Sequence, residues 1–114
     1  QGLSSTTLSL SSSLTSATDN SVFLQKIYNG SVISRSYSSS LLSKMQNSAG
    51  RSGIPAGSNG ASVASMSGSF GRIKNDSGLV YAPSNKYIIS VMSDGANAND
   101  ISDLASETYK IFAQ

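Results

Sequence analysis

The sequence contains no cysteine, no histidine and no tryptophan. Without cysteine the chain has neither a disulfide nor a thiolate nucleophile, although this does not identify its redox compartment. Without histidine it has no Ser-His-Asp triad, no imidazole base and no histidine ligand for zinc. Charged side chains make up only 12 % of the residues, and the net charge is +2 at pH 7. Nucleic-acid binding needs a basic stripe, so we expect no nucleic-acid partner, and we expect no metal or other cofactor.

Long apolar runs are also missing. No run reaches the roughly 18 residues that a membrane span requires, so no span is expected. The chain begins at Gln1, without the charged and then apolar pattern of an export signal. That start indicates a processed form, a trimmed product or a fragment, from which an upstream signal would have been lost.

The length and composition fit one folded domain. The chain has 114 residues, of which 38 % are hydrophobic, and this is ordinary for a soluble globular unit. About one residue in four is serine. Small neutral hydroxyls thus occupy many surface positions that are usually charged, which we interpret as a bias of lineage or environment and not as a mechanism.

Helical periodicity dominates the first half of the chain. Residues 1–14 form a Ser/Thr-rich tract that is predicted to be an extended segment. A capping-box pattern at Ser16 and apolar residues at helical spacing then predict a helix over residues 17–28. Ser34 is the expected cap of a second helix, which completes a helix pair over residues 15–47.

The second half begins with a loop and continues as strands. Four glycines and Pro55 fall in residues 48–60, where we expect neither helix nor strand. Alternating, β-branched and aromatic runs within residues 61–93 predict three antiparallel strands, at 61–66, 78–82 and 87–92. The last strand is almost continuously apolar, which suggests cover on both of its faces.

A final amphipathic helix is predicted over residues 98–112, capped by Asn97 or Asn99. The fold class is therefore α+β, an antiparallel sheet of three strands with helices on both faces. The acids offer no paired-carboxylate site, because Asp76 and Asp94 are expected in loops and nothing in the sequence brings them together.

Two stretches resemble a known family. Residues 61–69 (ASVASMSGS) and, after a variable loop, residues 76–83 (DSGLVYAP) are similar to the closing half of class A serine β-lactamases and related penicillin-recognising, DD-peptidase-related proteins. The resemblance covers about residues 15–114, with further matching segments in the same order, namely Thr18-Asp19, 23–30, Ile33-Ser34, Leu41-Leu42 and 53–57. It implies a β-lactamase/transpeptidase-like fold that is incomplete without an amino-terminal half, and a secreted or cell-envelope location.

The resemblance also implies a substrate-binding strand. In the family, one strand ends in Lys-Thr/Ser-Gly, whose lysine and hydroxyl bind the substrate carboxylate. That motif falls on Met66-Ser67-Gly68 here. Ser67 keeps the hydroxyl, Gly68 allows close approach of a substrate, and the N–H of Ser69 can contribute to an oxyanion hole. Met66 carries no charge and donates no hydrogen bond, so the attraction that the family's lysine supplies is lost.

Two further cations are candidates to replace the missing charge. Arg72 and Lys74 are expected in the loop between the first two strands, from which either side chain approaches a ligand by a different direction. The competing interpretation is that both are merely solvated surface cations.

The family's other motifs do not occur in this chain. Its nucleophile lies in Ser-x-x-Lys and its proton shuttle in Ser-Asp-Asn, and neither string is present. We therefore expect no catalytic residue in this chain. The strand at 87–92 should pair on its free side with a missing strand, so we expect as partner an amino-terminal half of the same protein or, failing that, a second copy of the chain.

Two functions remain open. In the first, the chain is the carboxy-terminal portion of a serine hydrolase that acts on β-lactams or peptidoglycan peptides, through an acyl-enzyme, only together with its amino-terminal half. Alternatively, it is a catalytically decayed relative that binds cell-wall material or serves as a scaffold. A third interpretation makes Met66 a core residue and the similarity one of fold ancestry alone.

Overall fold

The computed structural model describes residues 2–7 and 15–113, so residues 8–14 of the predicted extended segment lie outside the described residues. Four helices and three strands follow one another along the chain. They are α1 (Ala17–Tyr28), α2 (Arg35–Gln46), α3 (Ile54–Gly57), β1 (Ser62–Phe70), β2 (Ile73–Tyr81), β3 (Lys86–Asp94) and α4 (Ala98–Phe112). The predicted α+β class is confirmed.

The predicted caps begin three of the helices. The Ser16 hydroxyl accepts the Asp19 N–H at 3.1 Å, and the Ser34 hydroxyl accepts the Tyr37 N–H at 3.0 Å. Asn97, not Asn99, caps α4 in a capping box with Asp100, in which each side chain accepts the other residue's backbone N–H at 2.9 Å. These bonds satisfy backbone donors that would otherwise have no partner at the start of each helix.

The three strands form an antiparallel sheet in the order β1-β2-β3. β1 and β2 are longer than the predicted strands at 61–66 and 78–82, because a tight turn at Gly71-Arg72 joins them where a variable loop was expected. Gly71 has a φ of 59°, which glycine adopts without steric cost. Polar residues of low strand propensity are thus drawn into the ladder by their partners.

Helices cover both faces of this sheet, as predicted. Side chains of successive strand residues point to opposite faces, so each strand contributes to two separate cores. The core on the side of α1 and α2 consists of buried Leu24, Ile27, Val32, Met45, Ala64 and Leu79. The core on the side of α3 and α4 consists of buried Ile54, Val63, Val80, Ile101 and Ala105.

The predicted loop at 48–60 contains one short helix, α3, which corrects the expectation of no regular structure there. Pro55 stands in its first turn, where the fixed φ of proline suits a helix and its missing N–H costs nothing. The buried side chain of Ile54 holds this turn against the sheet. Arg51 ties the preceding loop to β1 by donating to the Val63 carbonyl at 2.9 Å.

Replacement of Leu24 by alanine should lower the free energy of unfolding by about 2 to 5 kcal/mol, the usual cost of emptying a fully packed leucine site. Leu24 is 0 % exposed and lies between α1 and the sheet. The matched control is Leu104→Ala on α4, where the side chain is 50 % exposed and the expected change is about 0.5 kcal/mol or less. Denaturant unfolding measures both, and equal effects would contradict the assigned core.

Candidate ligand-binding site

The second half of β1 borders a cavity of about 330 Å³. Its lining comes from the glycine-rich loop, from the facing ends of β1 and β2, and from the start of α4. The residues are Gly50, Ser52, Gly53, Ser67, Gly68, Ser69, Lys74, Asn75, Asp76, Ala98 and Ile101. Four of the five predicted binding residues thus lie together, and Arg72 is not among the lining residues.

Ser67 and Met66 point to opposite faces of the sheet. The Ser67 hydroxyl lies 3.5 Å from the Gly50 carbonyl, at the mouth of the cavity. Met66 packs against the core on the side of α1 and α2 and borders a different depression with Lys44 and Met45. The sulfur is therefore directed away from the cavity that holds the Ser67 hydroxyl.

Lys74 lies on β2 and not in a loop, which corrects the predicted position. It is the register partner of Ser69 on β1, and its side chain shares a face with Asp76. Neither of the two ion pairs found among residues 2–7 and 15–113 involves Lys74. An ammonium and two serine hydroxyls therefore surround the same opening.

Arg72 is engaged elsewhere. It occupies the turn between β1 and β2 and forms an ion pair with Asp94 at the end of β3, with 2.9 Å between Nε and the carboxylate. Both side chains are exposed, so the pair contributes little to stability, but it directs the guanidinium toward β3.

Asp76 is a buried strand residue and not a loop acid, contrary to the prediction. It is 3 % exposed, and its Oδ2 accepts the Ile54 N–H at 2.8 Å. Its Oδ1 has no hydrogen-bond partner among the described residues. Burial raises the pKa of Asp76 above its ordinary value, although the backbone N–H groups of Ile54 and Ser77 and the charge of Arg51 act in the opposite direction.

Thr18-Asp19-Asn20, which was not predicted as a motif, differs from Ser-Asp-Asn by one methyl group. Asn20 Nδ2 donates to the Ser77 hydroxyl at 3.3 Å, and Ser77 is the register partner of Met66. Thr18-Asp19-Asn20 and Met66-Ser67-Gly68 therefore both lie beside Ser77 of β2. A search that allowed either hydroxyl residue at position 18 would have found this string.

Asp19 holds the beginning of the chain against this region. It is buried, and its Oδ2 accepts the Ser5 N–H and the Thr6 hydroxyl, both at 2.7 Å. These bonds join residues 5 and 6 to the start of α1. The Ser21 and Ser90 hydroxyls, 3.0 Å apart, add a second polar contact between α1 and the sheet.

The described part of the chain offers no grouped side chains that could bind a metal ion. Residues 2–7 and 15–113 contain no cluster of three or more Asp, Glu, His or Cys side chains suited to a metal ion. Over the same residues, no helix has the length and apolarity needed to cross a membrane.

Comparisons with known proteins agree with this fold. Residues 1–112 match the family model described as the beta-lactamase enzyme family. The structure of PBP-A superimposes with a TM-score of 0.84 at 23 % sequence identity, over 96 % of this chain and 46 % of that one. No curated protein matches the chain.

Two beta-lactamase structures are similar as well. The enzyme from Sphaerobacter thermophilus superimposes with a TM-score of 0.79 at 14 % identity, over 96 % of this chain and 46 % of that chain. The TLA-3 extended-spectrum beta-lactamase gives a TM-score of 0.82 at 16 % identity, over 99 % and 51 %. The predicted β-lactamase-like fold is confirmed, and the chain spans about half the length of these structures.

Exchange of Asp76 for asparagine should change how stability depends on pH. A raised pKa means that the native state favours the protonated acid, so the wild type loses stability as pH rises from about 4 through that pKa. Asparagine has no charge to desolvate and keeps an acceptor for the Ile54 N–H. The free energy of unfolding of the variant should therefore rise relative to that of the wild type over this pH range. Urea unfolding at a series of pH values measures this difference.

The exposed Asp94→Asn variant is the control for this measurement. It removes an acid from the surface pair with Arg72 and should not reproduce the relative gain. A stability difference between Asp76→Asn and wild type that stays constant from about pH 3 to about pH 8 would contradict the raised pKa.

Proposed function

The chain belongs to the beta-lactamase enzyme family, and we propose that it is the carboxy-terminal portion of a serine β-lactamase-like protein that binds β-lactams or peptidoglycan peptides. One observation carries this proposal. The Ser67 hydroxyl, the Ser69 backbone and the Lys74 ammonium border one cavity at the end of β1. A cation and hydroxyl donors at one opening suit the carboxylate that such ligands carry.

Lys74 supplies the charge that Met66 lacks. A lysine at position 66 would extend from the face of the sheet on which Met66 packs against the α1 and α2 core. Lys74 instead extends from β2, opposite Ser69 and on the same face as Ser67. The carboxylate of the ligand is thus bound between Lys74 and Ser67, with the Ser69 N–H and Gly68 backbone nearest to its reactive carbonyl.

The acylation step belongs to another polypeptide segment. No serine in this chain stands three residues before a lysine, so the Ser-x-x-Lys nucleophile is not part of it. The chain spans about half the length of the structures that it matches, and β3 is an edge strand of the sheet. We propose that a strand of an amino-terminal half pairs with the outer side of β3, and that the complete protein is secreted or held in the cell envelope.

A second function is favoured by the position of Met66. Met66 is uncharged and packs against the core, so it does not bind the carboxylate of a ligand. A protein that has lost this lysine and kept the fold would bind cell-wall material without hydrolysing it. Covalent labelling by a penicillin distinguishes the two functions, because only the enzyme forms an acyl intermediate.

Replacement of Lys74 by methionine should weaken binding of a penicillin about tenfold, since one charge-assisted contact is lost. The control is Arg72→Met, which removes an equal charge from the turn and should change the dissociation constant less than about twofold, because Arg72 is paired with Asp94. Fluorescence anisotropy with a labelled penicillin measures both. Equal effects of the two variants would exclude Lys74 as the specific carboxylate partner.

Purification of the protein should yield this 11.7 kDa chain together with a second polypeptide, and a fluorescent penicillin should label that companion covalently. Intact-mass spectrometry and sedimentation identify the complex. Saturable binding without a covalent label would support the decayed receptor. A well-folded monomer with no companion would contradict the proposed pairing at β3.

A further inference from the structure

One wall of the cavity is a loop without regular structure. Gly50, Ser52 and Gly53 line the cavity, and residues 50–53 belong to no helix or strand. Such a segment has no ladder of backbone hydrogen bonds, so its position depends on contacts with side chains of neighbouring elements. One contact comes from β2, because Asp76 Oδ2 accepts the N–H of Ile54, the residue directly after the loop, at 2.8 Å.

The backbone of this loop lies closer to the sheet than a side chain would permit. A Cβ atom added at Gly53 would collide with Asp76 Oδ2, and one added at Gly50 would lie 2.6 Å from Ser67 Oγ. Glycine at both positions therefore allows the close approach. Ser67 and Asp76 are cross-strand partners and share the cavity face of the sheet, so the loop contacts this pair at both of its ends.

Asp76 can act on a ligand only through this loop. The residue is 3 % exposed, and its Oδ1 is buried. Its Oδ2 is occupied by the Ile54 N–H. A ligand in the cavity therefore gains no contact with Oδ1, and it finds Oδ2 already bonded. A hydrogen bond from a backbone N–H to an ionised carboxylate is stronger than one between neutral groups, so Asp76 holds the end of the loop firmly.

We propose that Asp76 is a positioning residue for ligand binding, which holds the wall at residues 50–53 beside the Ser67 hydroxyl through the Ile54 N–H. The inference rests on the proposed binding of penicillins in this cavity, and it adds a residue that touches no ligand atom. A wall that is already ordered favours binding, because the ligand does not have to order it. Release of the loop should therefore lower the affinity while Lys74 and Ser67 are unchanged.

Replacement of Asp76 by alanine removes the acceptor and should weaken binding of a labelled penicillin about fivefold to tenfold, by fluorescence anisotropy of the purified protein. Asp76→Asn keeps an acceptor for the Ile54 N–H and should bind within about twofold of the wild type. Leu24→Ala is the control for lost stability. It empties a site in the other core and should leave the affinity of the folded protein unchanged.

Two further measurements test the route through the loop. Amide hydrogen exchange at Ile54 should become faster in Asp76→Ala and remain slow in Asp76→Asn, because only the first variant leaves this N–H without its partner. Gly53→Ala keeps the carboxylate but places a Cβ atom against Oδ2. It should weaken penicillin binding to a similar extent, about fivefold to tenfold.

Each outcome decides between the inference and its premise. Unchanged penicillin affinity in a folded Asp76→Ala variant would overturn the inference, and so would equal losses in Asp76→Ala and Asp76→Asn. Where Asp76→Ala does not fold, unchanged affinity in Gly53→Ala overturns it. If Lys74→Met weakens binding and the Asp76 and Gly53 variants do not, the proposed function stands alone. A wild type that binds no penicillin contradicts the proposed function and, with it, this role of Asp76.

Discussion

Burial of the central strand on both faces is the constraint on which the rest of this structure depends. Five consecutive residues of β2, from Asp76 to Val80, are buried. Because neighbouring strand residues point in opposite directions, such a run requires a layer of helices on each side of the sheet. The two cores meet this requirement, and the core on the side of α3 and α4 contains Ile101, which also lines the cavity.

The elements predicted well are those whose signals are local. The bounds of α1 and α4 follow from caps and apolar spacing within the helix itself, and both agree with the prediction. The prediction of where β1 ends and β2 begins was wrong, because residues 67–69 and 74–76 have no strand pattern of their own. Their conformation comes from pairing across the Gly71-Arg72 turn, and a single strand's composition does not record it.

The candidate site was predicted in part for the same reason. Resemblance to the family located Ser67, Gly68 and Ser69, and the cavity contains all three. Asp76 was expected in a loop, and its burial was not predicted because its backbone partner, Ile54, lies 22 residues away in the sequence. Arg72 and Lys74 looked equivalent in the sequence, yet the turn directs Arg72 to Asp94, and strand register places Lys74 opposite Ser69. Which of the two cations lies beside Ser69 therefore depends on the strand pairing, and the sequence alone does not show it.

Strand periodicity also limits how a charge lost at position 66 can be replaced. A neighbour on β1 at position 65 or 67 projects from the opposite face, and a residue at 64 or 68 is about 7 Å away along the strand. On the adjacent strand, the cross-strand partner of Met66 is Ser77, about 5 Å away and on the same face, so the β2 position nearest to residue 66 carries no cation. Lys74 pairs instead with Ser69 and projects from the opposite face, beside the Ser67 hydroxyl, so it can contact only a ligand bound on that face. In the proposed site this cation shares a strand face with Asp76, so the arrangement that would supply a positive charge also brings a buried acid beside it.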